Sequence, residues 1–182
     1  MAPIAARLIL VTGSARSGKS EWAEKLAAQS GKSAVYVATA QADPSDPEWQ
    51  DRILQHQLRR PAHWQTWIVP IDLASAVQQA TASECLLIDS LGTWLANVLE
   101  QDEAAWQETM QGLLLSLQQA ACQVVLVAEE TGWGVVPAYP SGRRFRDRLG
   151  NLTRQIGMIA ESVYLVTGGY VLDLRQLGTR LE

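Results

Sequence analysis

The fold is decided by Leu8-Ile9-Leu10-Val11-Thr12-Gly13-Ser14-Ala15-Arg16-Ser17-Gly18-Lys19-Ser20, a stretch near the amino terminus. Its first five residues are apolar or β-branched, which is typical of a short buried strand. The remaining residues match the spacing G-x-x-x-x-G-K-S in full. Residues 19–28 then carry apolar side chains at helical spacing, so the loop joins a strand to the start of a helix. In this context the motif predicts a phosphate-binding loop, called the P-loop below (residues 13–20).

The P-loop has the chemistry that a nucleoside triphosphate requires. Glycines let the backbone curl so that several N–H groups point at phosphate oxygens, and the helix N-terminus adds partial positive charge. Lys19 can reach the β- and γ-phosphates, and the hydroxyl of Ser20 can ligate Mg²⁺. A chance Gly/Ser turn before a helix is the alternative, and the strand before the loop disfavours it. The motif therefore predicts nucleotide binding by Gly13, Ser14, Ala15, Arg16, Ser17, Gly18, Lys19 and Ser20.

Apolar strands alternate with helices along the rest of the chain. The predicted strands are residues 8–12, 34–39, 64–69, 85–89, 124–128, 163–166 and 170–174, and the predicted helices are residues 19–28, 47–59, 72–80, 91–99, 103–121 and 144–160. Residues 132–142 are rich in Gly and Pro and predict a loop. Alternation of this kind is typical of an α/β fold with a mostly parallel sheet and helices on both faces. Together with the P-loop motif, it predicts the P-loop NTPase-like class. Without a linker or a repeat, residues 1–182 are expected to form a single nucleotide-binding catalytic domain.

Composition narrows the class of protein. Hydrophobic residues make up 47% of the 182 residues, enough for a sizeable core, and the net charge is −4 without a long basic run. This argues against binding to nucleic acid or to a membrane surface.

No apolar run approaches the roughly 18 residues of a membrane span, and the first ten residues do not resemble a signal peptide. Cys85 and Cys122 are isolated in sequence and are expected to be core thiols, so we expect a cytoplasmic protein.

Asp89 is the natural partner of the P-loop, because it ends an apolar strand. A carboxylate at that point can hold Mg²⁺ directly or through water. The alternative is that Asp89 caps the helix that starts at Leu91, with help from Ser90. The two roles are compatible.

His56 lies among arginines on the predicted helix 47–59. Arg52 precedes it by four residues, and Arg59 and Arg60 follow by three and four, so all four side chains can share one face. Arginine neighbours disfavour a charged imidazole, and a neutral imidazole can act as a nucleophile on a phosphate that arginines hold. From spacing alone, a solvated basic helix face is the favoured interpretation. Spacing also favours solvent exposure for a second group of arginines, Arg143, Arg144, Arg146 and Arg148.

Several stretches together resemble one known family. They are residues 11–20, Tyr36-Val37-Ala38-Thr39-Ala40, Arg52-Ile53 with His56 and Arg60-Pro61-Ala62-His63-Trp64, Leu87-Ile88-Asp89-Ser90-Leu91, Thr93-Trp94-Leu95-Ala96-Asn97, Gly132-Trp133-Gly134-Val135-Val136-Pro137 and Arg144-Phe145-Arg146-Asp147. The chain is similar in these stretches to the bifunctional adenosylcobinamide kinase / adenosylcobinamide-phosphate guanylyltransferase family of cobalamin biosynthesis. The similarity extends over nearly the whole chain.

The resemblance implies two reactions. ATP or GTP phosphorylates a hydroxyl of adenosylcobinamide, and GTP then guanylylates a histidine that passes GMP to the cobinamide phosphate, which gives adenosylcobinamide-GDP. The guanylylated histidine of the family aligns with His56, and Lys19 is the second catalytic residue. The implied nucleotide contacts are the P-loop, Ala38, Thr39, Ala40, Gln57, Leu58, Arg59, Arg60 and Asp89. The resemblance further implies Mg²⁺ on Ser20 and Asp89, the same P-loop fold, and a homotrimer.

The chain departs from the family pattern at several positions. Ile68-Val69 stands where the family usually has an acidic pair, and Glu129-Glu130-Thr131-Gly132 stands for the usual Asn-Glu-Val-Gly. The loss of the acidic pair motivates an alternative, a P-loop small-molecule kinase without guanylyl transfer. A third hypothesis is a non-enzymatic nucleotide-binding module. Catalysis is favoured over that module because Lys19, Ser20, Asp89 and His56 are all present.

Overall fold

A computed structural model describes residues 6–41 and 60–181. In chain order its elements are β1 (Leu8–Gly13), α1 (Lys19–Ala28), β2 (Ser33–Ala38), β3 (Gln65–Ile68), α2 (Leu73–Gln79), β4 (Glu84–Asp89), α3 (Leu91–Val98), α4 (Glu103–Gln119), β5 (Gln123–Glu129), α5 (Pro140–Ile159), β6 (Ser162–Thr167), β7 (Tyr170–Asp173) and α6 (Leu174–Leu177).

The strands of the described residues form one sheet in the order β3-β2-β4-β5-β1-β6-β7. Every pairing is parallel except that of β6 with β7. The crossover connections place β5 between β1, which leads into the P-loop, and β4, which ends at Asp89. Because parallel strands end at the same edge of a sheet, the P-loop, Asp89 and the end of β5 meet there, which is where α/β sheets bind ligands.

The core has two layers, one on each face of the sheet. On one face α1 packs Ala23, Leu26 and Ala27 against alternate strand residues, namely Ile9, Val11, Cys85, Leu87, Val125 and Val127. On the other face α2, α3, α4 and α5 cover the intervening residues with Leu73, Trp94, Trp106, Leu113, Leu152 and Ile156, among others. Helices therefore lie on both faces, and the predicted P-loop NTPase-like α/β class is confirmed.

Most of the predicted elements are confirmed to within one or two residues, but one boundary is wrong and the short helix α6 is absent from the prediction. The predicted loop 132–142 ends early, because α5 begins at Pro140. Proline suits the first turn of a helix, where its missing N–H would have no partner. The predicted last strand also ends one residue early, because the side chain of Asp173 accepts a hydrogen bond from the Arg175 N–H and starts α6. The predicted helix 47–59 lies outside the described residues.

Both cysteines are buried and free, as predicted for core thiols. Burial raises the pKa of the Cys85 thiol to about 11. Within the described residues, no helix is both long and apolar enough to span a bilayer.

Candidate active site

The P-loop curls tightly between β1 and α1. Arg16 and Gly18 both have left-handed backbone conformations, with φ of 59° and 92°. Gly13 closes the curl against the neighbouring strand, because a Cβ added there would lie 2.4 Å from the carbonyl oxygen of Val166. Only glycine permits that approach of two backbones. The glycine spacing of the motif thus produces the expected strand–loop–helix geometry.

Lys19 and Ser17 give the loop its polar interior. Lys19 is buried, and its Nζ donates a hydrogen bond of 3.2 Å to the carbonyl oxygen of Ser14, so the ammonium group folds back over the loop. The Ser17 hydroxyl is buried and has no hydrogen-bond partner in the described part of the chain. A buried polar atom without a partner is costly, and a phosphate oxygen in the loop would satisfy it.

Asp89 ends β4 and lies beside Tyr36 of β2. The Tyr36 hydroxyl donates a 3.3 Å hydrogen bond to Oδ2 of Asp89. Burial, and next the negative charge of Asp89, raise the pKa of Tyr36 far above its usual value. The guanidinium carbon of Arg60 lies 3.6 Å from the centre of the Tyr36 ring. The structure thus brings two of the sequence-predicted residues, Asp89 and Arg60, into contact with one tyrosine.

Ser90, not Asp89, caps α3. Asp89 still pairs with Ala38 and Val127 in the sheet, whereas Ser90 has the extended backbone of an N-cap and its hydroxyl accepts a 3.3 Å hydrogen bond from the Thr93 N–H. The capping alternative for Asp89 is therefore wrong. Its carboxylate stays at the sheet edge, where it accepts the hydrogen bond from Tyr36.

Thr39 ties the end of β2 to the end of β4. Its buried hydroxyl donates to the carbonyl oxygen of Ser90 at 2.8 Å and accepts from the Ser90 N–H at 2.9 Å. The side-chain amide of Asn97 donates to the carbonyl oxygens of Thr39 and Pro70 at 2.7 and 2.9 Å. These bonds fix the segment that contains the implied nucleotide contacts Ala38, Thr39 and Ala40.

Two carboxylates at the end of β5 were not predicted as site residues. Glu129 Oε1 accepts a 2.5 Å hydrogen bond from the Ser90 hydroxyl, and its Oε2 accepts a 3.0 Å bond from the Gly92 N–H. Glu130 Oε1 accepts a 2.8 Å bond from the Thr12 hydroxyl. The sequence signal that could have found them is the one that identified Asp89, a carboxylate at the end of a buried strand.

Two arginines of α5, Arg143 and Arg148, bind backbone carbonyl oxygens. Arg148 is buried, and its guanidinium donates to the carbonyl oxygens of Leu99 and Gln101, both at 3.0 Å. Arg143 donates to the carbonyl oxygens of Pro137 and Ala138 at 3.0 and 2.6 Å. The expectation of solvent exposure is wrong for Arg148, because backbone carbonyls at the junction of α3 and α4 replace water as its partners.

Large apolar side chains are exposed at the same edge of the sheet. Ile68, the last residue of β3, is 76% exposed. Trp133 and Val135, in the loop that follows β5, are 67% and 94% exposed. His56 and residues 57–59 lie outside the described residues, so their place in the site stays a prediction.

Comparison with known proteins decides the family. The family model described as cobinamide kinase / cobinamide phosphate guanyltransferase matches residues 9–174. The chain belongs to this family. It is 42% identical over 168 residues to the bifunctional adenosylcobalamin biosynthesis protein CobP of Pseudomonas aeruginosa, covering 91% of this chain and 96% of the relative. It is 37% identical over 185 residues to the bifunctional adenosylcobalamin biosynthesis protein CobU of Escherichia coli, covering 92% and 99%.

Solved structures of distant proteins share the fold. The flagellar accessory protein FlaH of Methanocaldococcus jannaschii aligns with a TM-score of 0.51 at 15% identity, covering 96% of this chain and 82% of that chain. A Pyrococcus horikoshii protein aligns with a TM-score of 0.56 at 8% identity, covering 92% and 85%. At such low identity these likenesses concern the fold alone.

Proposed function

We propose that this chain carries both activities of its family. It phosphorylates adenosylcobinamide with ATP or GTP, and it then transfers GMP from GTP to the product to give adenosylcobinamide-GDP. The observation that carries the proposal is the P-loop with Lys19 folded over it, at the same sheet edge as Asp89, in a chain that matches bifunctional relatives over nine-tenths of its length.

In the kinase step, the P-loop holds the triphosphate. Backbone N–H groups and the Ser17 hydroxyl contact phosphate oxygens, while Lys19 offsets the negative charge that moves toward the leaving nucleoside diphosphate. Little covalent chemistry is required of the protein in such a transfer, because positioning and electrostatic stabilisation supply most of the acceleration.

In the guanylyl step, His56 acts as nucleophile. A neutral ring nitrogen attacks the α-phosphorus of GTP, an N–P bond forms, and the bond to the pyrophosphate oxygen breaks. An oxygen of the cobinamide phosphate then attacks the same phosphorus and releases the histidine. A covalent intermediate of this kind divides one difficult transfer into two easier ones. Arg60, which stacks on Tyr36 beside Asp89, supports the proposal because it places a fixed positive charge near the site.

The donor set of the site fits Mg²⁺. Within the described residues no three His, Cys, Asp or Glu side chains form a group that could hold a metal ion without other ligands. Mg²⁺ does not need such a cage, since it usually takes one or two protein oxygens together with water and substrate phosphates. Ser20 and Asp89 supply oxygens of that kind. When bound with the nucleotide, Mg²⁺ neutralises charge that develops on the phosphates.

The kinase-only alternative is not favoured. This alternative is motivated by Ile68-Val69, which stands where the family usually has an acidic pair. The exposed residue at that sheet edge is therefore an isoleucine and not a carboxylate. The relatives that cover nearly the whole chain are nevertheless named as bifunctional proteins. The substitution is therefore expected to change how nucleotide is held, not to remove the second reaction.

We also propose a homotrimer in the cytoplasm. Exposed apolar side chains on β7 and in the residues after it support an interface between subunits, with Tyr170, Leu177 and Leu181 between 66% and 75% exposed. Light scattering coupled to size-exclusion chromatography tests the subunit number, and a mass of one subunit would contradict the proposal.

The two activities are separable by the choice of nucleotide. Purified protein is incubated with adenosylcobinamide, Mg²⁺ and either ATP or GTP, and the products are separated by chromatography. ATP should yield only the phosphate ester, whereas GTP should yield the ester and the GDP derivative. Formation of the ester alone with GTP would support the kinase-only alternative. Lys19→Met should abolish both products, since the P-loop serves both steps.

A further inference from the structure

The kinase step needs a group that takes up a proton. The acceptor in that step is a hydroxyl, whose proton must leave as its oxygen bonds to phosphorus. The acceptor in the guanylyl step is a phosphate oxygen, which carries no proton that must be removed near neutral pH. A general base at the P-loop edge would therefore serve the kinase step and not the guanylyl step.

Three carboxylates lie where described parallel strands end: Asp89 is the last residue of β4, Glu129 is the last residue of β5, and Glu130 follows Glu129. Asp89 accepts a hydrogen bond from Tyr36 and is the proposed magnesium ligand. Glu129 has both oxygens engaged, one by the Ser90 hydroxyl and the other by the Gly92 N–H, so it holds the first turn of α3. The residue after Asp89 is Ser90, which is used as a helix cap, so β4 offers no second acid.

Glu130 lies against the base of the P-loop. Its backbone N–H donates a 2.9 Å hydrogen bond to the carbonyl oxygen of Gly13, the first residue of the loop. Its Oε1 accepts a 2.8 Å bond from the hydroxyl of Thr12, the residue before. Thr12 is thus the side-chain partner of Glu130 among the described residues, and it engages one carboxylate oxygen. The side chain is only half-buried and the six residues that follow it are exposed, so an acceptor can approach the other oxygen.

We propose that Glu130 is the general base of the kinase step, an assignment that rests on the proposed function. As the acceptor oxygen forms its bond to the γ-phosphorus, the hydroxyl proton passes to the Glu130 carboxylate. The bond from the γ-phosphorus to the bridging oxygen breaks, and its electron pair leaves with the nucleoside diphosphate. Thr12 orients the carboxylate through its hydrogen bond and is a positioning residue.

The test compares the two half-reactions in Glu130→Gln. Loss of a positioned general base typically costs about 10²- to 10⁴-fold, so kcat for adenosylcobinamide phosphorylation should fall by about that factor with KM for ATP unchanged. Labelling of the protein by α-phosphate-labelled GTP, measured without corrinoid, should match wild type. Glu161→Gln is the matched control, since it makes the same change at the opposite edge of the sheet, where Glu161 bonds to Arg7.

Thr12→Val separates orientation from proton transfer. Thr12→Val removes the hydroxyl that orients Glu130 and keeps the carboxylate, so its loss of kcat should be smaller than that of Glu130→Gln.

Four outcomes would overturn the assignment of Glu130 as general base. They are a wild-type kcat in Glu130→Gln, an equal loss of labelling and phosphorylation in that variant, recovery of its activity with added Mg²⁺, and an equal loss of kcat in Thr12→Val. A wild-type protein that neither labels nor phosphorylates would instead refute the proposed function.

Discussion

Replacing Gly13 by alanine should distort the P-loop and loosen the sheet beneath it. A Cβ at this position would lie 2.4 Å from the carbonyl oxygen of Val166 and 2.7 Å from the hydroxyl oxygen of Ser17. The Ser17 side chain can rotate away, but the Val166 carbonyl belongs to β6, which pairs with β1 along this edge. The backbone of one strand must therefore shift.

The expected cost follows from that clash. Overpacking of a well-packed site costs about 1–3 kcal/mol, and for a domain of this size each kcal/mol lowers Tm by about 2–4 °C. The Gly13→Ala variant should therefore melt about 2–12 °C below wild type. Nucleotide affinity should fall as well, because the Ser17 hydroxyl leaves the position from which it would contact phosphate.

Thermal unfolding and titration with a fluorescent nucleotide measure the two effects. The control is Gly112→Ala in α4, where an added Cβ meets no atom within 4 Å. Alanine in a helix interior is more stable than glycine by about 0.5–1 kcal/mol, so this variant should melt slightly above wild type and bind nucleotide normally. The reasoning is refuted if Gly13→Ala melts like Gly112→Ala and binds nucleotide like wild type.

Three further outcomes are expected. Asn97→Asp should lower the free energy of unfolding, measured with urea, by about 1–3 kcal/mol, because the amide that donates to the Thr39 carbonyl oxygen becomes a carboxylate facing it. A free energy of unfolding equal to that of wild type would contradict this. Tyr36 has a raised pKa in the folded state, so its contribution to stability is complete below the ordinary tyrosine value of about 10 and is lost as pH rises above it. The free energy of unfolding of Tyr36→Phe should consequently fall less than that of wild type between pH 8 and pH 11. An equal fall in both proteins would contradict the raised pKa of Tyr36. Cys85 and Cys122 are buried, and burial raises the pKa of both thiols, so neither should react with a thiol reagent until denaturant is added; rapid reaction of the native protein would disprove their burial.

Local chemistry explains which parts of the fold the sequence predicts well. The strand, loop and helix of residues 8–28 are specified by neighbours in sequence, namely an apolar run, spaced glycines and helical periodicity, and the structure matches them closely. The boundary at Pro140 is hard to predict, because proline both ends loops and starts helices. Composition alone does not separate those two roles in a segment rich in Gly and Pro.

The side-chain network of the site is harder to predict, because it depends on strand order. Tyr36 and Asp89 are separated by 53 positions, and Thr12 and Glu130 by 118. They meet only because crossover connections place β4 beside β2 and β5 beside β1. The burial of Arg148 is hard to predict for the same reason, since the carbonyl oxygens that it contacts belong to residues 47 and 49 positions away.

Covalent labelling of His56 tests the central claim most directly. Wild type, His56→Ala and His63→Ala are incubated with Mg²⁺ and GTP labelled at the α-phosphate, and the protein is then separated from free nucleotide. Wild type and His63→Ala should carry label that is lost in acid and kept in base, as expected of a phosphoramidate, and His56→Ala should carry none. If folded wild-type protein binds GTP but takes no label, or if His56→Ala is labelled like wild type, guanylyl transfer through His56 is contradicted.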